Sequence, residues 1–133
     1  MVSTLQLIRN QKAAASLFTI GSALLIISSN LDFDIEVKRI NRLKVKYTPS
    51  PAQITAFSFW ILTVGGFIGA VTATIRLSQL IQQLHSKSSI GHSIWIFAGS
   101  WLTFFGLFAV AIGSQQIVNE EQQFVIFQET SLI

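Results

Sequence analysis

The sequence predicts an α-helical integral membrane protein: three transmembrane helices, a small extramembrane β-hairpin in the first loop, and a C-terminal strand that joins the hairpin. Three observations carry that expectation. Long uncharged runs occupy residues 13–29, 54–75 and 93–112 of a 133-residue chain. Half of the residues are hydrophobic and only 11% are charged, where a soluble domain carries about 25% charge. The remaining charges are gathered between the runs, and the longest such stretch, residues 32–48, alternates apolar and polar side chains with the period of a half-buried strand.

Residues 1–12 form an amphipathic lead-in, with Leu5, Leu7 and Ile8 interleaved with Gln6, Arg9 and Lys12. As a helix, 13–29 reaches roughly 26 Å, slightly less than a hydrocarbon core of ~30 Å. Cations followed by an apolar run also describe a signal peptide, but the exit Ser28-Ser29-Asn30 lacks an A-x-A-like site, so an uncleaved first span is expected.

The hairpin at 32–48 turns at Arg39-Ile40-Asn41. Phe33 then faces Tyr47, Ile35 faces Val45 and Val37 faces Leu43 on one side of the ribbon. On the other side Asp34 meets Lys46 and Glu36 meets Lys44, pairing opposite charges across the strands. Pro49-Ser50-Pro51 ends the ribbon; Ser50 is a candidate N-cap, with Pro51 at the first helical position and Gln53 completing a capping box. The second span, 54–75, ends at Arg76, whose long stem can reach headgroups, and the helix runs on through Leu77, Leu80, Ile81 and Leu84.

Residues 85–91 read as a polar turn. The third span, 93–112, contains Trp95, Trp101 and a cluster of phenylalanines. Beyond it, residues 123–128 include Phe124, Val125, Ile126 and Phe127, too few to cross a membrane and too apolar for water, and so read as a strand. Three crossings leave the first loop and the tail on one side. The hairpin and the tail can therefore form a three-stranded sheet whose apolar side chains meet a partner.

Gly65, Gly69 and Ala73 stand four apart on the second span, a pattern that lets helix backbones approach closely in lipid. Ala15, Thr19 and Ala23 on the first span, and Ala109 and Gly113 on the third, offer matching faces. His85 and His92 are the two histidines; His92, beside Trp95 at interface depth, is the candidate ligand for chlorophyll or haem should the chain carry either. With no cysteine there are no disulfides, thiolate metal sites or thiol nucleophiles, and no metal centre is expected. The net charge of +3 is spread over separate segments without a basic stripe, which speaks against nucleic acid and for an anionic lipid surface.

The sequence contains no HExxH, GxSxG or phosphate-binding glycine loop. The interior of the three runs holds no ionisable residue, whereas ion pathways almost always do. The resulting expectation is a non-enzymatic accessory subunit of a larger membrane protein complex, embedded in the bilayer with no soluble substrate. Its layout is analogous to small subunits of photosynthetic or respiratory complexes. Two alternatives are a pigment- or haem-binding subunit using His92, and a small subunit that completes a transporter or membrane-enzyme site. A bacterial inner membrane or an organellar, thylakoid-type membrane is expected, with the N-terminus cytoplasmic and the hairpin and C-terminus opposite.

Overall fold

A computed structural model of the chain describes residues 3–43, 49–83 and 87–131, which form three helices: α1 (Thr4–Ile40), α2 (Pro51–Gln82) and α3 (Lys87–Ser131). Each is long and apolar enough to cross a membrane. At 1.5 Å per residue they measure about 55, 48 and 67 Å, so all three outrun a hydrocarbon core of about 30 Å.

Among the described residues there is no strand, and both extramembrane strand expectations are corrected. Residues 32–40 continue α1. Their alternation is compatible with a helix because acids precede bases at helical spacing: Asp34 and Lys38 pair at 3.0 Å, Glu36 and Arg39 at 2.9 Å. Acid before base is the favourable order on a helix, and Lys38 and Arg39 in the last turn suit its dipole. A helix already formed by 4–31 needs no new nucleus, so extending it is easier than starting a ribbon. The stop is a Schellman motif, in which Leu43 N–H bonds Lys38 C=O at 2.7 Å and Arg42 N–H bonds Arg39 C=O at 3.0 Å. Arg42, with φ of 60°, takes the left-handed position that usually falls to glycine. Val45 and Tyr47 lie outside the described residues.

The tail is likewise helical. Residues 124–127 fall inside α3. A four-residue apolar run has no period of its own, and the flanking Gln115, Gln116, Glu120, Glu121, Gln122 and Gln123 are helix formers that carry the third span onward. Without a hairpin, the strand has no ladder to join. The polar turn read at 85–91 is also shorter than expected, since α3 already begins at Lys87 and passes through Gly91.

The capping box at the start of α2 does form: Ser50 Oγ accepts from Gln53 N–H at 3.3 Å, and Gln53 Oε1 accepts from Ser50 N–H at 2.9 Å, with Pro51 at the first helical position. α1 starts more simply, with Ser3 Oγ accepting from Gln6 N–H.

α2 lies between the other two helices. It packs on both, while α1 and α3 make no helix–helix contact among the described residues. The α1–α2 seam repeats every seven residues. Leu7, Ala14, Gly21 and Ser28 are the buried positions of α1, and Pro51, Ser58, Gly65 and Thr72 are buried at the same interval on α2. Running antiparallel, they form rungs. Ser28 Oγ donates to Pro51 C=O at 2.8 Å. A Cβ on Gly21 would stand 3.2 Å from Ser58 C=O, and one on Gly65 would stand 3.3 Å from Ala14 C=O. A strict seven-residue seam is the geometry of left-handed supercoiling, and its small residues bring backbones close enough for dispersion to hold helices together in lipid.

Bulk faces α3 instead. A Cβ on Gly66 would meet Leu107 at 3.2 Å and Phe104 Cα at 3.5 Å. Trp60 stacks edge-on to Phe108, and Phe67 contacts Trp101 and Phe104. Trp101 Nε1 donates to Thr74 Oγ1 at 2.9 Å, the polar latch of this seam. Other hydroxyls of the spans, including Ser58, Thr63, Thr72 and Thr103, bond the carbonyl four residues back. Among the described residues no buried side-chain polar atom lacks a partner, as a water-free environment demands.

Candidate functional site

Because α1 and α3 flank α2 without touching, a crevice opens between them. Gly69, Thr72 and Ala73 of α2 form its floor, Ala14 and Phe18 of α1 one wall, and Ser93, Ile96 and Ser100 of α3 the other. Its volume is about 560 Å³, within the range of small-ligand sites. It continues into a second space of about 380 Å³ beside Gly66, Gly99 and Thr103, sharing Phe18, Gly69, Ile96 and Ser100. No Cβ contact within 4 Å awaits a side chain at Gly69 or Gly99, so both glycines leave the space open.

Arg76 closes one end. Its guanidinium donates to Gln11 Oε1 at 3.0 Å, across the α1–α2 seam. That bond places Arg76 level with the Arg9–Lys12 stretch, at the end of the bundle where α3 begins. Among the described residues no carboxylate pairs with Arg76. The opposite end of the bundle, away from the crevice, is hydroxyl-rich: Ser28 bonds both Pro51 C=O and the Thr55 hydroxyl, and Ser50 Oγ donates to Glu121 at 3.3 Å, tying the start of α2 to the tail of α3.

The structure distributes the residues singled out from the sequence over three different settings. Gly65 faces α1, Ala73 is buried, and Gly69 looks into the open crevice. On the first span Ala15, Thr19 and Ala23 are exposed, and the α2 contact runs instead through Ala14, Gly21 and Ser28. That seam was readable as a seven-residue repeat, whereas a four-residue search passes over it. Gly113 has nothing within 4 Å of a Cβ, and Ala109 is exposed.

His92 sits on the second turn of α3, exposed, beside an exposed Trp95. Among the described residues no three His, Asp or Glu side chains converge in a way that could hold a metal ion; His85 lies outside them. The side chains assigned to a sheet are not brought together: Phe33, Val37 and Leu43 are exposed at the end of α1, Ile35 is half-buried, and Phe124, Ile126 and Phe127 are exposed on α3. Val125 falls within the same helix. Phe33, Val37 and Ile40 nonetheless share one helical face, an apolar row on a segment that rises beyond the span.

Chemically the crevice offers one fixed cation, one amide and hydroxyls. The Thr72 and Thr103 hydroxyls already donate hydrogen bonds to the carbonyls of Ile68 and Gly99. No acid, histidine or other base lines it, so it has the make-up of a binding surface. Compared with protein-family models, with curated proteins and with solved structures, the chain matches none of them.

Proposed function

We propose that the chain is a non-catalytic, three-span accessory subunit of a larger membrane protein complex, held there by helix packing. The observation that supports the reading is the outer face of α3. Gly106 and Gly113 stand seven residues apart, the interval that builds the α1–α2 seam, yet no heavy atom lies within 4 Å of a Cβ at either. Only 6% of the most apolar window of α3 is buried, against 39% for α2. A helix so equipped for close approach, and so little covered, is suited to a transmembrane helix of another chain. The membrane envisaged is a bacterial inner or an organellar, thylakoid-type membrane.

Gly106→Leu tests this reading. The substitution adds apolar surface and meets no neighbour within the chain, so insertion and thermal stability should be unchanged. Co-purification of partner chains from native membranes in mild detergent should fall severalfold. Retention of every partner at wild-type yield would exclude this face as the attachment.

The N-terminus is assigned to the cytoplasm, because Arg9 and Lys12 directly precede the first span and Arg76 follows the second. In this cysteine-free chain, Ser3→Cys and Ser88→Cys should react with an impermeant maleimide only from the cytoplasmic side, and Asn41→Cys only from the opposite side. The reverse pattern would invert the assignment.

A further inference from the structure

We propose that the crevice between α1 and α3 is a binding site for one anionic phospholipid, its phosphate on Arg76 and one acyl chain laid along Gly69 toward Gly66. Length is the first argument. From Arg76 to Gly66 is ten residues of α2, about 15 Å of helix, which is half of a ~30 Å hydrocarbon core and so the depth of one leaflet. The two connected spaces follow that path, apolar below and cationic at the mouth.

Charge is the second. Arg76 uses one N–H on Gln11 and has no carboxylate partner among the described residues. A guanidinium has five donors, and those left over suit two phosphate oxygens at once. The same end of the molecule carries Arg9, Lys12 and Lys87, and all six acids fall in the far, C-terminal stretches of α1 and α3. A cationic rim without acids favours an anionic headgroup over a zwitterionic one.

Size decides against a protein helix in the same space. A helix about 10–12 Å across fills roughly 95 Å² in section, so the two spaces of about 560 and 380 Å³ together would hold about two turns of it, far short of a membrane span. An extended alkyl chain is thin enough to lie between Phe18 and Ile96. On α3 the site ends at Thr103, short of Gly106 and Gly113, so it is independent of whether those two meet a partner.

The test uses the full chain purified in detergent, partly delipidated, then offered phosphatidylglycerol or phosphatidylcholine with identical acyl chains and read by native mass spectrometry. One phosphatidylglycerol per chain should be retained, at least fivefold in preference to phosphatidylcholine, since each basic residue near a headgroup contributes about that factor. Arg76→Gln should lower the preference about fivefold, leaving only what the outlying cations supply. Arg9→Gln, a cation outside the crevice, should leave most of it. Gly69→Leu should abolish retention of both lipids by filling the floor, and Gly99→Leu, on the opposite wall, provides the same test should the first variant fold poorly. Undiminished preference in Arg76→Gln, or wild-type retention in a folded filling variant, overturns the proposal.

Discussion

Gly21→Leu should cause the largest loss of stability of any single substitution in the α1–α2 seam. A Cβ there would stand 2.7 Å from Leu62 Cγ and Cδ2 and 3.2 Å from the Ser58 carbonyl oxygen. Leu62 is itself buried and Ser58 fully so, so relief requires α1 to move away from α2 as a body. Overpacking of this kind costs about 1–3 kcal/mol, occasionally more. The better helix propensity of leucine over glycine returns less than about 1 kcal/mol. A lower melting temperature in detergent, with the helical circular-dichroism signal kept at room temperature, is the expected outcome. A melting curve equal to wild type would mean that the two helices do not approach at this rung.

Gly66→Leu should have the next largest effect, and it should act on the other seam. Its Cβ would meet Leu107 Cδ1 at 3.2 Å, a flexible end that can yield, but also Phe104 Cα at 3.5 Å, which is backbone and cannot. The remaining leucine carbons have to displace α3, at a cost again of about 1–3 kcal/mol. Trp101 reports it directly: separation of α3 should break its bond to Thr74 and shift indole fluorescence. Gly69→Leu, three residues on, is the internal comparison. With nothing within 4 Å of its Cβ, it should leave the melting temperature of the delipidated protein nearly unchanged. Equal destabilisation by both would contradict the placement of Gly69 on an open floor.

The membrane-spanning helices were legible because hydropathy over twenty residues is a strong signal that tertiary context rarely overturns. The capping box at Ser50 was legible because it is local. The strands were not, and the reason is specific. A charged alternation such as Asp32-Phe33-Asp34-Ile35-Glu36 satisfies a ribbon through cross-strand pairs or a helix through pairs three and four apart. What chose between them was the preceding helix, whose nucleus already existed. The same holds for Phe124-Val125-Ile126-Phe127, too short to carry a period and attached to a growing helix. At the crevice, Arg76 and Gly69 were each visible, one as an anchor and the other as a packing residue. Their joint role depends on α1 and α3 standing apart, which no local pattern encodes.

That separation has a consequence for how the molecule comes apart. Among the described residues every helix–helix contact links neighbours in the chain, so stability resembles that of a short repeat array, a sum of two nearest-neighbour interfaces with no closing third. Gly21→Leu and Gly66→Leu should therefore combine additively, and each interface should melt without dragging the other with it. Anything that bridges α1 to α3 across the opening would supply the missing third interface, and would convert two independent transitions into one cooperative one.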